Sequence, residues 1–420
     1  MFLAPILEKI KQTPVTKGQK VAVAFSGGLD SSLAIALLRH IYEAKEIIPI
    51  TIDVGQGEEE MQDMHAKAAI LGITPFIIDA KEEFSQQWLS KAIQANSDYN
   101  GYPVSTSMTR QLVAKLVALK AKELECDAIL EGSTGKGNDQ YRMHNVFKLF
   151  APELDILVPV RDFNLTRLEE QILCKHWNIP ISEQIVGGDD KTLWCRSIAS
   201  GAVDLNQPIP DHVWMWKRPI SHASDEGIAV EIEFAQGIPI ALNGESLPLD
   251  GIIASLNQLA GQQGIGLIDM FEDGIMDLKS REVYEAPAAH VILKLHRDLE
   301  QQCLTKDEIQ FKKIVDAQWA YLVYHGLWFS PLKQALDAFI AQTQQVLGGK
   351  IRAKLYKGNI EILHRESKYS LFAPDVRSIK SASFDQRWCA HAAKIKGLPC
   401  EILAKRQEKL SKEGCYEIVG

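Results

Sequence analysis

An α/β fold in two domains is what this sequence predicts: a parallel-sheet domain first, then an α+β domain that ends in helices. Three observations carry the expectation. From Val21 onward, short β-rich runs alternate with longer helical ones. That rhythm breaks at Pro180 and at Gly187-Gly188-Asp189-Asp190, after which the strands come in hairpin-like pairs. The chain, at 420 residues, also exceeds the size at which a single core keeps growing.

The elements follow in order. Residues 21–25 read as a buried strand, 31–42 as a helix with Leu33, Leu37 and Leu38 at helical spacing, and 47–54 as the next strand. A helix over 58–71, a strand over 74–79, a helix over 107–124 and a strand over 127–131 continue the series. A strand at 155–158 and a helix at 166–177 complete it. Each crossover is long enough to bring the chain back parallel. Met108, Leu112 and Leu119 are assigned to the core. Beyond the break, 229–234 and 238–242 flank Gln236-Gly237 as a hairpin, and 265–270 with 274–278 flank a second turn. Helices are expected over 306–324 and 331–346, two strands between Lys350 and Phe372, and a last helix over 383–396. The domain limits implied are 20–185 and 186–375, with an N-terminal extension at 1–19 and a C-terminal helical segment at 376–420.

Charge and cysteine use narrow the partners. With 46 Lys plus Arg against 54 Asp plus Glu, a net charge of −8 and no basic run, nothing marks a nucleic-acid footprint, and no such partner is expected. The seven cysteines are odd in number, scattered, and free of any Cys-x-x-Cys pair, which argues against a disulfide framework or a zinc site. No stretch approaches the ~20 apolar residues of a membrane span. The apolar start meets Glu8 and Lys9 too soon for a secretory leader. A reduced, cytoplasmic protein with no membrane partner is the expectation.

Chemistry first appears at Ser26-Gly27-Gly28-Leu29-Asp30-Ser31-Ser32, between a strand and a helix. A strand feeding a helix this way aims backbone N–H groups and a helix N-terminus, worth ~+0.5 charge, at one spot. An anion belongs there. Gly27 and Gly28 let the backbone approach it, and Ser26, Ser31 and Ser32 supply hydroxyls. Asp30 has two readings: a helix cap, or a carboxylate for Mg²⁺ bridging to phosphates. The Gly-Lys-Ser/Thr ending of a Walker loop is absent. The run resembles the pyrophosphate loop of the N-type ATP pyrophosphatases, which cleave ATP between the α- and β-phosphates.

A second glycine-rich run, Gly132-Ser133-Thr134-Gly135-Lys136-Gly137-Asn138-Asp139-Gln140, follows the strand at 127–131 and precedes a helix holding Arg142. Ligands of open α/β sheets bind at such strand ends. Read with Tyr141 and Arg142, the run resembles the ATP- and aspartate-binding loop of the argininosuccinate synthase family. Agreeing segments are Trp194-Cys195-Arg196-Ser197, Glu272 with Lys279-Ser280-Arg281, Tyr284-Glu285-Ala286-Pro287, and Trp319-Ala320 leading to Leu327-Trp328-Phe329-Ser330-Pro331-Leu332. The likeness runs from about Lys20 to Tyr369.

That resemblance implies a ligase of arginine biosynthesis which joins L-citrulline to L-aspartate and converts ATP to AMP and pyrophosphate through an adenylated citrulline. It also implies Mg²⁺ and a homotetramer whose C-terminal helices contact neighbouring subunits. By the same resemblance, ATP contacts Ala24, Phe25, Ser26, Gly27, Gly28, Leu29, Asp30, Ser31 and Ser32, the backbone near Ile52, and Gly132. Aspartate meets Thr134, Asn138 and Asp139. Citrulline is expected at Tyr102, Ser107, Arg142, Gly188, Ser197, Glu272 and Tyr284, with Asn138 touching both amino acids. Arg142 would clamp a carboxylate bidentately and Glu272 would hold an ammonium. Asp30, Asp139 and Arg142 form the catalytic set, acting by positioning and charge neutralisation. No side-chain nucleophile and no protein-held metal site is expected. Three departures stand out: Gly188 where the family usually has Ser, Ser31 where it usually has Thr, and Gly266-Leu267-Ile268-Asp269 where it has Gly-Arg-Ile-Asp. Two other readings stay open. One is another adenylating pyrophosphatase, such as a transfer-RNA-modifying enzyme, which calls for sulfur chemistry and a basic face. The other is a nucleotide-binding protein without turnover, which would keep the first loop alone.

Overall fold

The computed structural model describes residues 3–180, 190–200, 208–273 and 277–413, so Gly188 lies outside the described residues. They fall into two compact units divided between Ser370 and Leu371.

The first unit opens with α1 (Leu3–Lys11), a helix in the expected extension. Its Ile6 and Ile10 are buried with Val21, and Lys9 reaches Glu169 at 3.0 Å. Five strands follow: β1 (Lys20–Ala24), β2 (Glu46–Asp53), β3 (Phe76–Asp79), β4 (Ala128–Leu130) and β5 (Asp155–Leu157). They pair in parallel in the order β3-β2-β1-β4-β5. Because helices cover both faces, the strands are apolar on both, and alternate residues serve opposite sides. Val21, Val23, Ala128 and Leu130 pack with Leu33 and Leu37 of α2 (Leu29–His40). Burying each such leucine contributes ~1.5–3 kcal/mol. Ala22, Ile50 and Ile129 pack with Met108, Leu112 and Val117 of α4 (Thr106–Glu123), which follows α3 (Glu58–Leu71) in the chain. Leu119 is not in that core; it is exposed, and Ala118 and Ala121 are buried instead. At the head of α4, residues from Ser107 to Leu112 are buried on nearly every side, whereas its later turns bury only the face of Ala114, Val117, Ala118 and Ala121.

After α5 (Asp139–Phe150) and α6 (Arg167–His176), whose N-terminus is closed by a Thr166/Glu169 capping box, the chain builds two antiparallel sheets. One runs β11-β12-β7-β6, from β6 (Asp190–Lys191), β7 (Arg196–Ser200), β11 (Leu267–Asp273) and β12 (Lys279–Glu285). The other runs β10-β9-β8-β13-β14, from β8 (Ile228–Ala235), β9 (Ile238–Leu242), β10 (Glu245–Ser246), β13 (Gly349–Tyr356) and β14 (Asn359–Glu366). Four helices share their core: α7 (Leu249–Gln262), α8 (Pro287–Cys303), α9 (Lys306–Tyr324) and α10 (Pro331–Gln344). The second unit contains α11 (Trp388–Lys412), which has no buried residue.

Some expectations need correction. The strand pairing with β11 is 279–285; of the expected 274–278, residues 274–276 lie outside the described residues, and 277–278 precede the strand, whose run from Glu282 to Glu285 is buried with Glu272↔Ser280 setting the register. The last helix is α11, which passes through Pro399 where a stop was expected. Proline removes one donor from a helix but does not prevent the turns on either side from forming. The helices α7 and α8 were not anticipated, although their buried residues recur at helical spacing, as Leu249, Ile252, Ile253 and Leu256 do in α7 and Ala288, Ile292, Leu295 and Leu299 in α8.

A buried ion pair locks β7 to β12. Glu285 is fully buried, accepts Arg196 Nη1 at 2.7 Å, and also accepts the backbone N–H groups of Trp216 (2.9 Å) and Lys217 (2.7 Å). Removing the carboxylate takes the ion-pair partner from the buried guanidinium, which keeps its bond to Val213 O at 2.9 Å. We expect Glu285→Ala to cost about 3–5 kcal/mol of unfolding free energy in a urea titration, and Glu285→Gln clearly less, since an acceptor remains. Equal stability of the alanine variant and the wild type would contradict this.

Candidate active site

The strand order changes direction between β1 and β4, the place where open α/β sheets bind ligands. Both strands end there in glycine runs, and register pairs Val23 with Leu130 just before them. Phe25 N–H donates to Ile50 O (2.9 Å) and Thr51 Oγ1 to Phe25 O (2.7 Å), so the first run is tied to β2, beside buried Ile52, until it opens at Ser26. Gly27 has φ +76°, and a Cβ there would lie 2.9 Å from the Met64 backbone; no other residue fits. Ser31 Oγ donates to Gly28 O (3.2 Å) and sits 3.2 Å from Ser26 Oγ, while Gly28 N–H donates to Ser26 Oγ (3.3 Å). Ser32 Oγ is buried without a protein partner. Ala24 and Leu29 bracket the run.

No side chain caps α2; its N-cap is Gly28, so the capping reading of Asp30 fails. Asp30 sits in the first helical turn and pairs with Arg167 Nη1 at 2.5 Å. Arg167 also holds Glu170 at 2.7 Å. Burial, helped by the charge of Asp30, pushes the Glu170 carboxyl up to about 8.

The second run lies against the first. A Cβ on Gly132 would stand 3.2 Å from Asp30 Cβ and 3.3 Å from Ser31 N, so the two loops touch with no space for a side chain. Before it, Glu131 is buried, its Oε2 accepts the Ser133 hydroxyl and backbone N–H, and its Oε1 has no protein partner. Burial pushes this carboxyl up to about 7. Thr134 is half-buried beside Gly137.

Asn138 and Asp139 open α5. Asp139 accepts Arg110 Nε and Arg142 Nη1, both at 2.9 Å, and Arg110 Nη2 lies 3.1 Å from Asp190. Burial opposes the charge of Asp139, but the two guanidinium groups outweigh it and hold its carboxyl below the usual range. Arg142 is buried; its Nε donates to Tyr324 O at 2.9 Å, and its Nη2 has no protein partner. Two of its three nitrogens are thus engaged by protein. Nη2 keeps both of its hydrogens free of protein partners, and Nη1 keeps a second hydrogen beside the one given to Asp139.

The remaining predicted residues meet on the same side. Tyr102 and Tyr284 stack with centroids 4.3 Å apart. Tyr102 Oη accepts the N–H groups of Ser105 (3.0 Å) and Thr106 (2.9 Å), starting α4 in the turn that carries Ser107, whose own Oγ is buried and unpartnered. Tyr284 Oη donates to Glu272 Oε1 at 2.9 Å, and Tyr284 stands opposite Ser197 across the β12–β7 pairing. Burial raises the Glu272 carboxyl, with Arg142 pulling the other way. Thr192 holds the preceding turn: its Oγ1 accepts from Trp194 and Cys195 (both 3.1 Å) and lies 2.9 Å from Ser105 Oγ.

Sequence reading missed Arg110, Glu131, Arg167 and Tyr324. Arg110 lies three residues beyond Ser107 on one helix and was within reach of a spacing argument. Tyr324 is 182 residues from Arg142, and no local signal links them.

Comparison with known proteins identifies the family. Residues 20–180 match the family described as "Arginosuccinate synthase N-terminal HUP domain", and residues 188–403 match "Arginosuccinate synthase C-terminal domain". The chain is 41% identical over 396 residues to the argininosuccinate synthase of Methanocaldococcus jannaschii, covering 93% of this chain and 100% of that protein. It is 41% identical to that of Methanopyrus kandleri, covering 92% of this chain and 99% of the relative, and 41% identical to that of Pyrococcus furiosus, covering 88% and 90%. Two apposed glycine loops, the tyrosine–glutamate–arginine cluster beside them and this similarity along nearly the whole chain lead to one conclusion: the chain belongs to the argininosuccinate synthase family of ligases.

Proposed function

We propose that this chain condenses L-citrulline with L-aspartate, releasing AMP and pyrophosphate, with residues 20–185 holding ATP and 186–375 completing the amino-acid site. The observation that supports the reading is the contact between Gly132 and the first turn of α2, where the two glycine-rich loops meet. The pyrophosphate end of ATP lies on the N–H groups and hydroxyls of Ser26 to Ser32. The ureido oxygen of citrulline attacks the α-phosphorus, forming an O–P bond as the bond to the β-phosphate oxygen breaks and pyrophosphate leaves. The aspartate amine, having given up a proton, then attacks the ureido carbon; a C–N bond forms, the C–O bond breaks, and AMP departs with its electron pair.

Protein groups act here by placement. Arg142 Nη2 receives the citrulline carboxylate, buried Glu272 and the Tyr102–Tyr284 stack hold its other end with Ser107 and Ser197, and Thr134, Asn138 and Asp139 receive aspartate. Gly188 lies outside the described residues. Mg²⁺ supplies charge neutralisation on the phosphates when it arrives with ATP. Among the described residues no cluster of three or more His, Cys, Asp and Glu is arranged to hold a metal ion. Asp30, partly exposed beside the loop, fits a cation carried by the substrate, since Mg²⁺ usually takes one or two carboxylates plus phosphate oxygens.

A homotetramer is part of the proposal, with α11 as the contact. Trp388, Ile395 and Ile402 recur every seven residues along it and are 66%, 67% and 66% exposed, an apolar seam that another helix would cover. A cytoplasmic location agrees with the free cysteines among the described residues. No helix among them is long and apolar enough to cross a membrane.

Three measurements test this reading. Purified protein with ATP, Mg²⁺, citrulline and aspartate should yield AMP, pyrophosphate and argininosuccinate in equal amounts; ADP, or AMP release indifferent to citrulline, would sink it. Asp30→Ala should lower AMP formation by about 100-fold or more, since the cation that neutralises the phosphate charge would lose its protein ligand, so near-normal turnover would remove Asp30 from the site. Light scattering should give the mass of four chains, and a truncation before Trp388 should lower it; an unchanged mass would rule out α11 as the contact.

A further inference from the structure

Tyr324 closes α9, and it meets Arg142, Asn138 and the end of β11 beside Glu272. Its carbonyl accepts Arg142 Nε at 2.9 Å, and its ring lies 4.7 Å from the Arg142 guanidinium carbon. Its hydroxyl accepts Asn138 Nδ2 at 3.1 Å and donates to Asp273 O at 3.2 Å, next to Glu272. Tyr99 stacks on the ring at 4.0 Å and is bridged by paired backbone bonds to Tyr102. The second glycine loop, the Tyr102 turn, β11 and Arg142 thus converge on one buried side chain.

Tyr324 is itself firmly held. Gln111, fully buried on α4, donates to Val323 O at 3.0 Å and accepts the Trp328 N–H at 2.8 Å, bracketing the end of α9. A Cβ on Gly326 (φ +80°) would lie 2.9 Å from Arg142 Cα, so the turn after Tyr324 rests directly on α5. Such bracketing keeps ring and carbonyl fixed beneath the guanidinium, so that Nη2 is the nitrogen without a protein partner. A cation over an aromatic face keeps its attraction when desolvated, which suits a buried arginine that must hold its orientation before a ligand arrives.

We propose that Tyr324 is the positioning residue of the amino-acid half of the site: its ring and carbonyl aim Arg142 at one substrate while its hydroxyl fixes Asn138 for the other. It touches protein groups and not the reacting atoms, and the proposal rests on the ligase reading above.

The two parts of the side chain can be separated. In Tyr324→Phe the ring and carbonyl remain and the hydroxyl bonds go; KM for aspartate should rise about tenfold, the size of one lost hydrogen bond, with kcat and KM for ATP within about twofold. In Tyr324→Leu the ring goes as well, and KM for citrulline should rise at least as much. The phenylalanine variant should melt within a few degrees of wild type. Unchanged amino-acid KM values in Tyr324→Phe would overturn the proposal. So would equal losses for ATP, citrulline and aspartate together with a lowered melting temperature, the signature of a purely structural residue. If the wild type forms no citrulline-dependent AMP, it is the ligase reading that fails, and this proposal falls with it.

Discussion

The constraint on which the site depends is the close approach of Gly132 to the first turn of α2. There is no space for a Cβ between them, with Asp30 Cβ at 3.2 Å and Ser31 N at 3.3 Å. The approach follows from sheet order. Adjacent parallel strands that lead away in opposite directions leave a crevice at their carboxyl ends, and β1 and β4 are that pair. Each loop alone is a polar turn. Held in contact, they bring a helix N-terminus and the amide-rich start of α5 to one cleft, where charge moving along a phosphate chain can be met on both sides.

Opposing charges organise the floor of that cleft. Asp190, Arg110, Asp139 and Arg142 alternate in sign, and each link is about 3 Å long. A buried arginine is tolerated because its neighbours compensate it, and the part left uncompensated, Nη2, is the part a ligand can use. Glu131 and Ser107 follow the same pattern of one buried polar atom without a protein partner, at the edge of the loop and at the head of α4. Buried polar atoms are seldom left unpaired in a folded protein unless something else satisfies them. In this chain such atoms recur on residues facing the cleft.

The second domain completes the site from a distance. β7 and β12 set Ser197 opposite Tyr284, the Glu285–Arg196 pair locks those strands, and Thr192 joins the preceding turn to Ser105. The end of α9 arrives through the Gln111 bracket. Residues far apart in the chain thereby share one wall, and stacked tyrosines fill it: Tyr102 on Tyr284, Tyr99 on Tyr324. Rings of this kind give contact area with few torsions to freeze, so the wall is stiff before any substrate binds.

Much of this was legible in one dimension. The parallel strands follow from Val- and Ile-rich runs between helical stretches, and the boundaries of α3 and α9 coincide with those read from apolar spacing. Both glycine loops were found from their residues, because a phosphate or carboxylate needs bare backbone and a helix start, and those are local properties. Other features were not local. That Asp30 answers Arg167 and does not cap its helix depends on α6. That the Nε of Arg142 is held by a carbonyl 182 residues away depends on the end of α9. The extent of α11 through Pro399 depends on helical continuity, and the exposure of Leu119 on how much of α4 its neighbours cover, which a short window does not show. By itself the sequence determined where hydroxyls and bare backbone meet a helix start and where the backbone must lack side chains, since steric freedom and hydrogen-bonding capacity belong to single residues. Only the tertiary structure decided which of those groups remain unpartnered and in which direction they point, since pairing and burial belong to residues that meet in space.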